Sequence, residues 1–289
     1  MSELEGDSGD MVVVRNVCRR YRATRKTAEV DALTGISLRV PKGAVVAIRG
    51  DSGSGKTTLL SLIGGLDRPD SGSISVDGRE LTEMSDRELV DYRAHTVGFI
   101  FQSYYLFPWL SARENVAAAL EPLDVSKRER RERAMEALRA VGMAKRAEHR
   151  PGHMSGGEQQ RAGIARAIAK RPALILADEP TGNLDPSARS NVLEYLLRAA
   201  RESATTTIIV THDPWIAERC DVDHKIKNGR ITKTVRRNRV AQEPRETRNL
   251  LARHGSALGS LDCSLEQPLP IAFRNYLPWD CHRMLSGWC

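Results

Sequence analysis

The chain has 289 residues, 40% hydrophobic and 28% charged, which is the balance of a soluble globular protein large enough to bury a sizeable core. No stretch approaches the roughly 18 apolar residues of a membrane span, and the opening MSELEGDSGD is acidic where a secretory leader is basic and then apolar, so cytoplasmic residence is expected. The net charge of +7 is carried entirely by the twelve Lys and Arg and five Asp and Glu from Lys225 onward, leaving 32 of each sign before that point; no nucleic-acid partner is expected of so balanced a body.

Five scattered cysteines (Cys18, Cys220, Cys263, Cys281, Cys289) show no Cys-x-x-Cys spacing, which argues against a disulfide framework and a zinc site alike. In chain order, the apolar run VVAIR (Val45 to Arg49) reads as a strand and leads into GDSGSGKTT (Gly50 to Thr58), followed by TLLSLIGGL with helical spacing. Strand, glycine-rich loop and helix in this order form the P-loop pattern. Backbone N–H groups of Gly50, Asp51, Ser52, Gly53, Ser54 and Gly55 would wrap phosphates, Lys56 would meet their charge, and the Thr57 hydroxyl, beside Thr58, would hold Mg²⁺. SISVDG (Ser73 to Gly78) reads as a strand closing on an Asp-Gly turn.

VGFIFQ ends at Gln102, an amide able to reach both Mg²⁺ and an attacking water. Six of the fourteen aromatic residues then crowd between Phe99 and Trp109. Phe99 and Phe101 alternate as a buried strand would, whereas Tyr104, Tyr105, Phe107 and Trp109 are more than a core needs; part core and part docking surface are both open readings. SKRERRERAMEALRAV (Ser126 to Val141) is a charged helix with Met135, Leu138 and Val141 on one face. MSGGEQQR (Met154 to Arg161) puts two glycines behind a serine and opens a polar, helix-like run: a second glycine-rich stretch where one nucleotide needs one cradle.

ALILADEP (Ala173 to Pro180) is a continuous apolar strand closing on Asp178 and Glu179. One carboxylate can bind Mg²⁺, and the next can polarise a water for in-line attack on a γ-phosphate. TTTIIVTHD (Thr205 to Asp213) is a further strand ending at His212, placed to contact that phosphate or water. Strands alternating with helices imply an α/β fold on a mostly parallel sheet, with its ligand site at the strands' carboxyl ends. After about Thr234 the chain turns basic and polar without clear periodicity, which reads as a poorly ordered tail over 235–289.

Taken together, GDSGSGKTT, FQ, MSGGEQQR, LILADEP, NLD and THD, in this order and spacing, resemble the ATP-binding subunit of ABC transporters, over about Val12 to Thr234. ADEPTGNLD and the FIFQ context look most like the group of lipoprotein-release, macrolide-export and cell-division ATPases. The resemblance implies a P-loop ABC ATPase core with a mixed, mostly parallel sheet, a helical signature subdomain at about 103–160 and a smaller antiparallel β subdomain. It implies ATP and Mg²⁺ as ligands. Position by position, Tyr21 would stack on adenine, Gly50 to Thr58 would form the phosphate loop, Gln102 the lid, Asp178 the metal-associated aspartate, Glu179 the general base and His212 the switch. Asp185 of NLD would cross a dimer interface. Ser155, Gly156 and Gly157 would be the signature that closes over the γ-phosphate held by a second chain, so that two chains sandwich two ATPs.

The sequence departs from the usual signature at Met154, where leucine is common, and at Glu158, where glutamine is common. The implied partners are a second copy or a homologous ATPase subunit, and a separate membrane-spanning permease that would hold the chain on the inner face of the plasma membrane, in an exporter or extrusion-type system. A soluble ABC ATPase acting on DNA or ribosomes is the alternative; the long coiled-coil insertions or tandem cassettes of such proteins are not seen here.

Overall fold

The computed structural model describes residues 9–22 and 29–237, all within the first of two units that divide at Asn238. The expected tail therefore lies, from 238 on, outside the described residues; the last described strand runs to Arg236.

Two long strands, β1 (Asp10–Tyr21) and β2 (Val30–Pro41), pair antiparallel, and the short β3 (Val45–Arg49) leads into the glycine-rich loop and helix α1 (Lys56–Ile63). A hairpin follows, β4 (Ser71–Val76) and β5 (Arg79–Glu80). Its Asp77 and Gly78 have φ of 49° and 76°, the paired positive values of a turn that follows the twist of its strands. Next come α2 (Asp86–His95), β6 (Val97–Ile100), α3 (Ala112–Ala118), α4 (Lys127–Ala140) and α5 (Gly156–Ile168). The chain closes with β7 (Leu174–Asp178), α6 (Pro186–Glu202), β8 (Thr206–Thr211), α7 (Pro214–Ala217), β9 (Val222–Lys227) and β10 (Arg230–Arg236).

The strands form two sheets. One is antiparallel, in the order β2-β1-β4-β5; the other runs β10-β9-β3-β8-β7-β6 and is parallel from β9 to β6, with β10 added antiparallel at the edge. The central strands are apolar throughout because both faces are covered. Along β3, Val45 and Ala47 face the cluster formed with α3 to α6, while Val46 and Ile48 face α1 and the antiparallel sheet. Helix α1 is packed between the sheets by Leu59, Leu60, Leu62 and Ile63, side chains whose burial stabilises the fold by about 2 kcal/mol each. On α4, Leu138 and the following Val141 are buried and Met135 is half-buried, so the charged residues occupy the solvent side.

Helix starts are specified locally. Ser85, Ser111, Ser126 and Ser155 cap α2, α3, α4 and α5, and Asp185 and Asp213 cap α6 and α7. Among the described α-helices only α1 begins without a side-chain cap, on Gly55. Its first N–H groups are thus left for a partner from outside the chain.

Candidate functional site

The parallel strands deliver four loops to one end of the large sheet. β3 ends at the glycine-rich loop, β6 leads to Gln102, β7 ends at Asp178 and Glu179, and β8 ends at His212. A cleft of about 920 Å³ opens there, lined by Tyr21, Asp51, Ser52, Gly53, Gly55, Lys56, Thr57, Thr58, Gln102, Asp178, Glu179 and His212, with Val30 and Ala32 beside Tyr21.

The loop's curvature needs glycine at Gly55, whose φ is 101° and where a Cβ would meet the Ala32 carbonyl oxygen at 2.4 Å. Lys56 is 7% exposed and its Nζ donates to the carbonyls of Gly50 and Asp51, at 2.8 and 2.9 Å. Gly50 and Ser54 lie beneath the cleft and do not line it. A Cβ on Gly50 would meet Ser54 Oγ at 2.6 Å, and the Ser54 carbonyl accepts the Gly229 N–H, tying the loop to the β9–β10 turn.

Thr57 Oγ1 donates to Asp178 Oδ1 at 3.3 Å, a hydroxyl and a carboxylate brought together as hard oxygen ligands. Burial pushes the Asp178 carboxyl above its ordinary range, with Glu179 adding to the effect and the Thr57 hydroxyl and Lys56 opposing it. No cluster of three or more His, Cys, Asp or Glu that could hold a metal is found among the described residues. A divalent ion here would therefore share its coordination with substrate phosphates, as Mg²⁺ commonly does. The uncapped α1, the cationic Lys56 and the Thr57–Asp178 pair together fit a Mg²⁺-nucleotide.

Glu179 has φ of 43°, a left-handed conformation that strains any residue but glycine. Its carboxylate is held on both sides: His212 Nδ1 is hydrogen-bonded to Oε1 at 2.9 Å, and Thr211 Oγ1 donates to Oε2 at 3.2 Å. Gln102 does not point at this pair. Its Nε2 donates to Asn183 Oδ1 at 3.0 Å and its carbonyl accepts Asn183 Nδ2 at 3.0 Å, a reciprocal pair that the motif reading did not anticipate. Tyr21 is tethered by its hydroxyl to Asp67 at 3.0 Å, and the Arg19 guanidinium lies 4.9 Å from its ring centre.

Ser155, Gly156, Gly157 and Asp185 are not among the residues lining the cleft. Asp185 Oδ1 accepts the Ser187 and Ala188 N–H groups, capping α6. Ser155 caps α5 in a reciprocal box: its Oγ accepts the Glu158 N–H at 3.2 Å, and Glu158 accepts the Ser155 N–H at 2.8 Å. Glu158 also meets Arg146 at 3.1 Å. The Ser155 N–H, with Arg146 helping, holds the Glu158 carboxyl below its usual range. The departure at Glu158 is thus the partner, three residues on and in the first turn, that a serine cap calls for.

Replacing Glu158 with alanine is expected to cost about 1 kcal/mol and lower the melting temperature by about 2–4 °C. Because the carboxyl's pKa is depressed in the fold, its contribution is present at neutral pH and lost as pH falls through that depressed value. The melting difference between wild type and variant, measured calorimetrically, should shrink on acidification.

After Gln102 the chain crosses the aromatic segment. Tyr104 and Tyr105 have φ of 60° and 48°, and the half-buried Arg166 guanidinium donates to both their carbonyls. Asn115, 1% exposed, accepts the Phe107 N–H and donates to the carbonyls of Phe107, Leu110 and Ser111. The backbone is held from within while Tyr105, Phe107 and Trp109 stand 66%, 46% and 65% exposed.

Comparison with known proteins agrees with this geometry. Residues 33–182 match the family described as ABC transporter. The chain is 47% identical over 208 residues to the lipoprotein-releasing system ATP-binding protein LolD of Bordetella pertussis, covering 71% of this chain and 88% of that protein. It is 42% identical to LolD 2 of Caulobacter vibrioides, covering 78% and 97%. A solved structure described as a dimeric post-hydrolysis state of the ATP-binding cassette MJ0796 bound to ADP and Pi superposes with a TM-score of 0.72. The identity there is 36%, covering 78% of this chain and 98% of that one. These relatives do not favour a nucleic-acid or ribosome role.

Proposed function

The chain belongs to the ABC transporter ATP-binding family, and we propose from that premise that it powers a lipoprotein-releasing or related extrusion-type transporter through a separate membrane-spanning permease. The family's activity is ATP hydrolysis. Among the described residues no helix is long and apolar enough to cross a membrane; on this reading force passes to another chain through a surface. The observation that carries the reading is the aromatic segment: it continues directly from the cleft residue Gln102, is braced by Arg166 and Asn115, and presents Phe107 and Trp109 outward. On this reading the chain sits on the inner face of the plasma membrane, and the working unit is the ATPase domain of about 12–234, with a helical subdomain over about 103–160.

Within the cleft, Lys56 neutralises charge on the β- and γ-phosphates and the N–H groups opening α1 bind phosphate oxygens. Thr57 and Asp178, with Gln102 once it leaves Asn183, would hold Mg²⁺, which supplies electrostatic stabilisation of the charge that develops on those oxygens. Tyr21 lies where the base of the nucleotide can stack. Glu179 orients the attacking water and accepts its proton, and His212 keeps the Glu179 carboxylate turned toward the phosphates. Ser155, Gly156 and Gly157 complete the site of a second copy or a homologous subunit, with Asp185 at the crossing.

Docking is tested with Phe107→Ala/Trp109→Ala. Two aromatic anchors lost from an interface are expected to lower sedimentation with permease-containing inner-membrane vesicles at least about tenfold. The ATPase rate of the purified chain should stay within about twofold of wild type by the same argument, since neither side chain lines the cleft. Undiminished sedimentation would remove the aromatic segment as the docking surface.

A further inference from the structure

The two groups that hold the Glu179 carboxylate both lie in the THD motif, yet the resemblance gives a role to His212 and none to Thr211. Thr211 closes β8 and is fully buried. Its Oγ1 accepts the Asp213 N–H at 3.0 Å and lies 3.2 Å from Glu179 Oε2. A hydroxyl has one hydrogen, and with a lone pair taken by Asp213 the hydrogen is aimed at the carboxylate. The turn behind it is also fixed. Asp213 Oδ1 accepts the Trp215 N–H at 2.9 Å, and Oδ2 meets Arg189 Nη1 at 3.1 Å.

Arg189 stands in the first turn of α6, its N–H bonded to the Asp185 carbonyl, and its Nε is buried with no hydrogen-bond partner among the described residues. The chain of contacts runs from the NLD segment through Arg189, Asp213 and Thr211 to the carboxylate oxygen that His212 does not hold.

We propose that Thr211, backed by Asp213 and Arg189, is a positioning residue for the general base. By fixing Oε2 while His212 fixes Oε1, it holds the carboxylate in one rotation, so that the remaining lone pairs face the attacking water. Glu179 stands just past the end of β7 in a left-handed backbone, its N–H bonded to the Val210 carbonyl of β8 at 3.0 Å, so its side chain lies outside the regular alternation of the strand and takes its direction from the groups that hold the carboxylate. The proposal rests on the reading of Glu179 as the base.

The test compares Thr211→Val, which keeps the shape and removes the hydroxyl, with Thr211→Ser, which keeps the hydroxyl, in the full-length chain. Rates are counted per ATP-binding-competent chain, so that partial unfolding does not imitate a catalytic defect. Losing one hydrogen bond to a charged group predicts that Thr211→Val lowers kcat by about tenfold or more, leaves KM for ATP within about twofold, and that serine restores most of the rate. Arg189→Met is expected to lower kcat in the same direction with less effect. Wild-type kcat in Thr211→Val, or an equal loss in Thr211→Ser, would overturn the positioning role. Glu179→Gln in the same series separates the two readings: if it retains the wild-type rate, the base assignment falls and this proposal with it; if it is inactive while Thr211→Val is unimpaired, only the positioning role falls.

Discussion

Glu179→Gln is expected to lower ATP turnover by about a thousandfold, within the range that general acid–base catalysis contributes, while leaving ATP affinity near that of the wild type. The amide keeps the shape of the carboxylate and can still meet His212 and Thr211, but it cannot accept the water's proton. With hydrolysis blocked, the doubly ATP-bound pair of chains should persist, and size-exclusion chromatography with ATP should show a dimer that wild type forms only transiently. A single chain lacks the signature half of its site on this reading, so the same experiment reports on the sandwich. A variant that hydrolyses normally, or one that stays monomeric with ATP bound, would count against the assignment of Glu179 or of Ser155 to Gly157 respectively.

Lys56→Ala is expected to fail one step earlier, at binding. The ammonium group is buried against the loop and bonded to the Gly50 and Asp51 carbonyls. Only a modest shift would bring it onto phosphate oxygens that compete for the same three donors. Two charge-assisted hydrogen bonds at about 1.5–3 kcal/mol each imply a loss of affinity of about a hundredfold or more. Titration with a fluorescent ATP analogue measures it. Retained affinity with lost turnover would mean that Lys56 acts on the transition state alone.

The parts of the fold that were legible in the sequence share one physical cause. β3, β7 and β8 are covered on both faces, so each reads as a run of Val, Ile, Leu, Ala and Thr that stops near the residues of the site. β1 and β2 gave no such signal. Their pairing shifts register between Val14 and Val17 and again between Val17 and Arg19, which breaks the alternation that would mark a half-buried strand. Helices α2 and α3 could have been found from their openings, since SDRE and SARE are serine-capping boxes in plain view. The partition into two sheets rests on pairings such as Val45 with Thr207, far apart in the chain, which no local pattern encodes.

At the site, motif spacing brought Lys56, Thr57, Gln102, Asp178, Glu179 and His212 to one cleft. It could not show that Ser54 turns under the loop, nor that Gln102 pairs with Asn183. Those are matters of side-chain direction, and direction is set by neighbours that only the folded chain supplies. Thr211 was missed for a different reason: inside a β-branched strand, a threonine chosen for its hydroxyl cannot be told from one chosen for its shape.

The left-handed backbone at Glu179 sets stability and chemistry against each other at a single position. Glycine would relax the strain, and asparagine would tolerate it better than glutamate does, yet neither carries the carboxylate. Selection for a sturdier fold and selection for a faster enzyme therefore favour different letters at 179, and a thermostabilising screen blind to turnover would drift toward an inert protein there. With Glu179 as the base, a glutamate at this position is the letter that favours chemistry over backbone ease.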